Sequence, residues 1–365
     1  LSHSHMDHCG SLPLAVSRGL SCPIFCNAIT KDVSDLLLKD SMKIDRLERR
    51  NSGYGKQAVS TALNLMRNST KGQFKGMKFE FIPSGHIPGA CSILITYKGK
   101  KILYSGDVSA MPMQLIKPRR KLPKADVLIL ESTYGSREHI ARQLVEKQFE
   151  QVVRATLDGG GSVIVGVFAV GRAQEMLLLL DKMRLQGVPT YLDGMGKQVT
   201  KIYLKHPQHL RDRRLFDVSR RVQFVARQDR RIRITKKQGI FVSTAGMLEG
   251  GPIMEYIKRM GNDPKNTLIL TGFQAPETNG NLLLETGGMY IDGQHHQLRS
   301  SVFHFDFSAH AGMHELHDII DEVQPKVMIT NHGEHLSAAA LAEYARKHGI
   351  HTYSPKTGTH VDVRV

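Results

Sequence analysis

Short apolar runs and amphipathic stretches take turns along most of this chain. Lys78–Pro83, Ser92–Tyr97, Lys101–Tyr104 and Asp126–Leu130 carry the alternation and the β-branched or aromatic content of strands. Tyr97-Lys-Gly-Lys-Lys101 reads as a hairpin turn between two of them. Arg137–Leu157 has helical spacing and ends at Gly159-Gly-Gly161, which leads into a strand at Ser162–Val165. The alternation continues to about Gly293, with a helix at Gln174–Arg184 and strands at Thr190–Leu192, Gly239–Val242 and Asn266–Leu270. Beyond His296 short strands return with two helices, Met313–Val323 and Leu336–Lys347. The pattern predicts an α/β protein. There is no internal repeat and no low-complexity linker. Side chains able to hold a metal flank the middle block and are sparse within it. We therefore expect a domain at 151–293 inserted into another built from 1–150 and 294–365.

The 365 residues, 41% of them apolar, suffice for one large or two medium domains. No apolar run approaches the roughly 18–20 residues of a membrane span. No secretory signal precedes the first block, so the expected compartment is the cytoplasm. Cys22-Pro-Ile-Phe-Cys26 is not a zinc-knuckle spacing. With Cys9 and Cys91 these are the only cysteines, and the expectation is buried, inert thiols.

The formal net charge of +16 makes a polyanion the natural partner. Between Lys205 and Lys237 twelve Lys/Arg face three Asp, a local net of +9. That block has few aromatics, Phe216 and Phe224, so phosphate contact is expected there rather than base stacking.

The sharpest chemical signal is His3-x-His5-x-Asp7-His8. Alternating histidines at a strand end point to one side, and the next two residues round the turn into a helix. One short segment can then offer two ligand sets to one cavity, using the imidazole and carboxylate donors of open zinc sites. His86 in Ser84-Gly-His-Ile-Pro-Gly89, Asp107 in Tyr104-Ser-Gly-Asp-Val-Ser109 and His332 in Thr330-Asn-His-Gly-Glu334 each follow an apolar strand and sit among glycines. Together these make seven ligands, about what two metals sharing one carboxylate require.

This constellation resembles the metallo-β-lactamase fold. Leu130-Glu-Ser-Thr-Tyr-Gly135, Gly171-Arg-Ala-Gln-Glu175 and Phe307-Ser-Ala-His310 narrow the resemblance to the β-CASP nucleases. Within these the chain is most similar to the endonuclease of the cleavage and polyadenylation specificity factor and its archaeal-type relatives, over essentially its whole length. The resemblance implies an αββα sandwich with an inserted α/β β-CASP domain. It implies that His3, His5 and His86 hold one zinc, that Asp7, His8 and His332 hold the other, and that Asp107 bridges them. A hydroxide between the ions would be the nucleophile, with Asp7 and Asp107 in the catalytic set. His310 corresponds to the general acid and Glu131 to the carboxylate that orients it. Manganese is the alternative metal. A histidine at 332 resembles the RNA-processing pattern, whereas DNA-repair members usually carry an apolar residue there. The implied activity is hydrolysis of single-stranded RNA in a cleft between the two domains. It would be endonucleolytic or 5′-to-3′ exonucleolytic, leaving a 5′-phosphate and a 3′-hydroxyl. Family members have two or more strands and an acidic motif before the histidine cluster, whereas this sequence opens on Leu1. The expectation is a fragment of a longer gene, with Leu1 on or next to a central strand.

Weaker signals remain. Arg172 and Gln174 start a helix after a strand and either touch RNA phosphates or cap that helix. Ser243, Thr244 and Gly246 follow another strand and could bind a phosphate at a helix N-terminus. Gly159–Gly161 and Asp193–Lys197 lack the ending of a nucleotide-binding loop and read as turns, so no nucleotide cofactor is expected. His314 and His317 are spaced for a third metal but read as exposed helix histidines. His295, His296 and His335 read as structural or as site lining. A homodimer is compatible with the sequence. Two rival readings are a small-molecule hydrolase of the same superfamily and a non-catalytic RNA-binding paralogue.

Overall fold

The computed structural model describes residues 1–363. Spatial packing divides the chain into two units. One comprises Leu1–Pro112, Ile116–Glu138 and the chain from Ala309 onward, and the other Met113–Leu115 and His139–Ser308. The boundaries read from the sequence, at 150 and 294, fall elsewhere. The helix that spans 150 packs on a strand of the second unit, and the strand at Ser301–His304 is hydrogen-bonded into the second unit's sheet.

The first unit starts with helices Met6–Cys9 (α1) and Leu12–Ser17 (α2) and strand Ile24–Cys26 (β1). Helices Ala28–Leu47 (α3) and Lys56–Leu65 (α4) follow, then strands Met66–Asn68 (β2), Lys71–Phe74 (β3), Met77–Pro83 (β4), Cys91–Tyr97 (β5), Lys100–Tyr104 (β6) and Val127–Glu131 (β7). In the second unit come Arg142–Asp158 (α5), Val163–Gly166 (β8), Arg172–Lys182 (α6), Thr190–Asp193 (β9), Gly196–Lys205 (α7), Arg214–Arg221 (α8), Gln223–Phe224 (β10) and Gln228–Ile234 (α9). They are followed by Ile240–Ser243 (β11), Pro252–Met260 (α10), Thr267–Leu270 (β12), Asn279–Thr286 (α11), Gly288–Ile291 (β13), Gln294–Gln297 (β14) and Ser301–His304 (β15). Met313–Val323 (α12), Val327–Asn331 (β16), His335–Lys347 (α13) and His351–Tyr353 (β17) then return to the first unit.

The first unit's large sheet runs β17-β16-β7-β6-β5-β4-β3, parallel from β17 to β6 and antiparallel from β6 to β3. Leu316 and Ile320 of α12 and Leu341 of α13 share a core with Leu103, Leu128 and Met328 of the sheet. A second, two-stranded sheet pairs β1 with β2 around Ile24, Cys26 and Met66. Helix α3, which the apolar pattern did not single out, is started by Asn27, whose side chain accepts the Thr30 N–H at 2.9 Å. It buries Ile29, Val33, Leu37 and Leu38 on one face.

The second unit holds a six-stranded, wholly parallel sheet ordered β10-β9-β11-β8-β12-β15. Its inner strands β8, β11 and β12 are buried at every position, as parallel strands covered on both faces must be. Gly159–Gly161 ends α5, and Asp193–Lys197 carries the chain from β9 into α7. No helix among the described residues is long and apolar enough to cross a membrane.

Asp193, at the end of β9, holds this unit's strand ends together. Its carboxylate accepts from Arg231 at 2.6 Å, Lys197 at 3.0 Å, the Tyr256 hydroxyl at 3.0 Å and the Gly194 N–H at 2.7 Å. Burial opposes its charge, but Arg231 and Lys197 prevail and hold its pKa below the ordinary carboxylate value. Asp193→Ala leaves these cations and the tyrosine facing an apolar gap. It should destabilise the second unit by about 3–5 kcal/mol, the cost of breaking a buried pair on one side. Urea unfolding monitored by hydrogen exchange of β9 and β11 measures this, and an unchanged midpoint would show that the four donors do not depend on the carboxylate.

Candidate metal centre and substrate rim

The parallel strands of the first unit all end at one rim. In register, Asn331 of β16 pairs with Glu131 of β7, and Tyr104 of β6 with Ile129. Residues just past these ends, Asp107, Glu131 and His332, are therefore brought side by side. His86 joins them from the connection between β4 and β5. Gly85 precedes it at φ 77, and any side chain there would run into the backbone of Ser109 and Arg119.

The opening segment reaches the same rim as an extended stretch rather than a strand. The Ser2 carbonyl accepts from Cys91 N of β5 at 3.1 Å, and His5 caps α1. His3 and His5, two residues apart in extended chain, then point the same way. Asp7 and His8 follow on the first turn of α1.

Two groups share Asp107, His3/His5/His86/Asp107 and Asp7/His8/Asp107/His332, and a third, Glu131/His310/His332, adjoins them through His332; in each the donor atoms lie within 4.8 Å of one another. Asp107, almost fully buried, belongs to the first two. Its Oδ2 lies 3.4 Å from His3 Nε2 and 3.5 Å from His86 Nε2. Its Oδ1 lies 3.2 Å from His8 Nε2. His5 Nδ1 is 3.2 Å from His3 Nε2 and 3.0 Å from His86 Nε2, and His332 Nε2 is 2.9 Å from Asp7 Oδ2. His8 Nε2 and Asp107 Oδ1 are buried without a hydrogen-bond partner. Buried polar atoms are rarely left so, and lone pairs converging on one point are resolved by a cation. These donors fit divalent metal ions.

The far side of four of the five ligand rings is also settled, while His5 faces the centre with Nδ1. His86 Nδ1 meets the Ala309 carbonyl at 2.8 Å, and His332 Nδ1 meets Thr133 Oγ1 at 3.0 Å. Ser2 Oγ stands 3.2 Å from His3 Nδ1 and 3.5 Å from His8 Nδ1. Each such contact engages Nδ1 and leaves Nε2 for the centre, the arrangement typical of metal-binding histidines. Sequence reasoning did not pick out Ser2, Thr133 or Ala309, although Thr133 and Ala309 lie in or beside the motifs that carried the resemblance.

Electrostatics divide the rings. Burial, reinforced by neighbouring imidazoles, holds His3 and His86 well below the ordinary histidine pKa, and burial lowers His5 as well, so all three are neutral donors. Burial works against charge on His8 too, but Asp107 and Asp7 prevail and raise it to about 9. Where Asp7 and Asp107 can hold a proton they can hold a cation.

His310 Nδ1 lies 2.9 Å from Glu131 Oε2, and its Nε2 is 4.0 Å from Asp107 Oδ2, turned toward the centre. Glu131 is fully buried, and its Oε1 accepts the Val108 N–H at 2.6 Å. Burial disfavours protonated His310, but the Glu131 carboxylate outweighs this and raises the pKa to about 9.

The residues read as substrate contacts lie in the second unit. Ser243 ends β11 opposite Gly166 of β8, and the backbone of Gly246 packs on Val167 and Phe168. Arg172 opens α6 after β8, and its charge helps lower the Asp306 pKa to about 2, where burial acts in opposition and His139 is the main counter-influence. Thus Arg172, Ser243, Thr244 and Gly246 share the rim where parallel strands end, as ligand sites in such sheets do. Gln174 differs. It is wholly buried, its Oε1 accepts from Gly171 N, and its Nε2 donates to Ala169 O, Gly196 O and Thr200 Oγ1. Its amide is used by the fold, so the capping role applies in place of the substrate contact expected for it.

Other readings sort similarly. His314 pairs with Glu138 at 2.9 Å, and neither His314 nor His317 belongs to any group able to hold a metal among the described residues. Cys9, Cys26 and Cys91 are buried thiols, with burial raising Cys9 to about 11 and Cys91 to about 12. Cys22 is exposed, contrary to expectation, because it lies in the polar loop before β1.

A mixed sheet with helices against it, and a rim of imidazoles and carboxylates around an empty-handed aspartate, belongs to metal-dependent hydrolases of the metallo-β-lactamase class. Comparison with known proteins narrows this. Residues 1–168 match the beta-lactamase superfamily domain, 173–283 the Beta-Casp domain, and 296–355 the Zn-dependent metallo-hydrolase RNA specificity domain. A probable RNase MJ4 of Methanocaldococcus jannaschii is 38% identical over all of this chain and 87% of its own length. An RNase J-like protein of the same organism is 33% identical over 98% of this chain and 87% of itself. RNase aCSPSF2 of Saccharolobus solfataricus is 30% identical over all of this chain and 74% of itself. The chain belongs to the β-CASP family of metallo-β-lactamase-fold ribonucleases.

Glu131→Gln keeps the shape of the His310 partner and removes its charge. In the metal-free protein the His310 pKa should fall from about 9 toward the ordinary 6.5. With Glu131 present, the raised folded pKa gives stability that is full below pH 6.5 and lost as pH rises through about 9, and the variant should lack it. Imidazole Cε1–H shifts by NMR measure the titration, and one still centred near 9 would assign the proton's stability to another group.

Proposed function

We propose that this chain is a zinc-dependent ribonuclease that hydrolyses single-stranded RNA with two metal ions, in RNA processing or decay in the cytoplasm. The observation that carries the reading is the placement of the His310–Glu131 pair against the two donor groups that share Asp107. His3, His5 and His86 would hold one ion, and Asp7, His8 and His332 the other, with Asp107 between them. When bound, such ions lower the pKa of water and neutralise charge on a phosphoryl oxygen.

The protein's own groups supply the rest. His310 donates Nδ1–H to Glu131 and holds a second proton at Nε2, directed toward the centre. The Glu131 carboxylate favours retention of that proton, which His310 delivers to the departing ribose oxygen, leaving a 3′-hydroxyl and a 5′-phosphate. Arg172 and the Ser243–Gly246 turn are assigned to the RNA backbone, Gln174 bracing α6 from within. A histidine at 332 supports RNA over DNA. The RNase names of the relatives support the same substrate. The retained ligand set argues against a non-catalytic RNA-binding paralogue, and the Beta-Casp and RNA specificity domains argue against a small-molecule hydrolase.

We read the cut as internal to the strand. An RNA carrying a 3′ end label and a blocked 5′ end should yield shortened, labelled 3′-terminal fragments with zinc-loaded protein. Complete protection by the block would overturn endonuclease action and leave 5′-to-3′ degradation.

His310→Ala should keep two equivalents of metal and lose about 10²–10⁴ in turnover, the worth of a general acid. Metal content by mass spectrometry and single-turnover cleavage decide this together. Loss of metal in the variant would make His310 a ligand and sink its assignment as proton donor.

A further inference from the structure

Thr133 stands where the two halves of the centre meet. Its Oγ1 lies 2.7 Å from Glu131 Oε2, 3.0 Å from His332 Nδ1 and 3.0 Å from the His332 carbonyl. It is also 3.4 Å from His310 Nδ1. A threonine hydroxyl has one proton to give and two lone pairs to receive with. The carboxylate is the strongest acceptor in reach and the nearest, so the proton goes to Glu131 Oε2. The hydroxyl oxygen is then an acceptor for His332 Nδ1–H. That hydrogen bond commits Nδ1 to Thr133 and turns Nε2, 2.9 Å from Asp7 Oδ2, to the centre, where a bound cation would take the place of its proton.

We propose that Thr133 is a positioning residue whose hydroxyl links His332 to Glu131, so that one buried carboxylate orients both the ligand His332 and the proton donor His310. Glu131 Oε2 receives the Thr133 hydroxyl and His310 Nδ1–H, and Oε1 is occupied by Val108 N–H. The inference rests on the two-metal reading of the site and adds a coupling to it. His332 is the one ligand ring held by a hydroxyl that itself leans on the acid–base pair. His86 relies on a backbone carbonyl, and His3 and His8 on Ser2. His332 also adopts φ 51, the left-handed region in which a non-glycine residue is held only by its surroundings. Without the Thr133 hydroxyl, the side-chain hold on its ring is lost while the fold around it stays.

The test compares Thr133→Val, which keeps the shape and drops the hydroxyl, with Thr133→Ser, which keeps the hydroxyl. Zinc binding to the metal-free full chain is followed by calorimetry, alongside single-turnover RNA cleavage and thermal unfolding. Thr133→Val should keep the equivalent that His3, His5 and His86 would hold. The second equivalent should weaken about 10–100-fold, and cleavage should fall at saturating RNA with KM little changed. Thr133→Ser should restore both. If wild type binds two equivalents and cleaves RNA while Thr133→Val matches it in both, the coupling is overturned and the function stands. A Thr133→Val variant that loses both equivalents with a lowered melting temperature, unrescued by serine, makes the residue merely structural and overturns it too. Wild type that takes up no zinc overturns the two-metal reading itself.

Discussion

Asp107 is the constraint around which the first unit is arranged. A nearly fully buried carboxylate cannot keep its charge without partners, and here each oxygen is turned to a different set of nitrogens. Its partners come from the opening segment, the β4–β5 connection and the end of β16, three places far apart in sequence. They meet only because β6, β7 and β16 run parallel and in register, so that their C-terminal ends form one edge. The hydrophobic packing of α12 and α13 on that sheet therefore serves the centre directly. Slippage of β16 by one residue would turn His332 to the other face.

Much of this was legible in the chain. Histidines spaced for one face, and single ligands after strands among glycines, identify the donors with no knowledge of their distances. The motif was local, and alternation places His3 and His5 on one side, while their meeting with the later ligands depends on the register of β6, β7 and β16. The orienting atoms were less legible. A hydroxyl or backbone carbonyl carries no compositional signal, so Ser2, Thr133 and Ala309 become visible only when the rings they hold are placed. Gln174 shows the converse. Its position after a strand is equally consistent with ligand contact and capping, and only the count of its amide partners separates them.

The unit boundaries illustrate a different limit. Sequence spacing placed them by where ligands stop, whereas packing places them by which sheet a segment joins. For α5 the deciding term is its packing on β8, and for β15 its long-range pairing with β12. Charge behaves likewise. The basic block from Lys205 to Lys237 reads as a +9 surface, yet Arg214, Arg221 and Arg231 are paired with Asp212, Asp181 and Asp193. Asp212 is already counted in that sum, so the two acids from outside the block lower it only to +7, with Arg231 tied to the β9 end. What remains for a polyanion is smaller than the sum suggests, and its contribution is the diffuse, salt-sensitive kind.

The distribution of carboxylates explains why the chain needs two buried acids where a simple metal site needs fewer. Asp107 faces the ions' positions and is available to share between them. Glu131 is withheld from those positions by Val108, Thr133 and His310, which take up its oxygens. It stands outside the two donor groups that share Asp107, and through its contact with His310 it raises the proton affinity of that ring. The fold thus separates two uses of negative charge, binding cations and retaining a proton, by placing one acid among the ligand nitrogens and the other against His310.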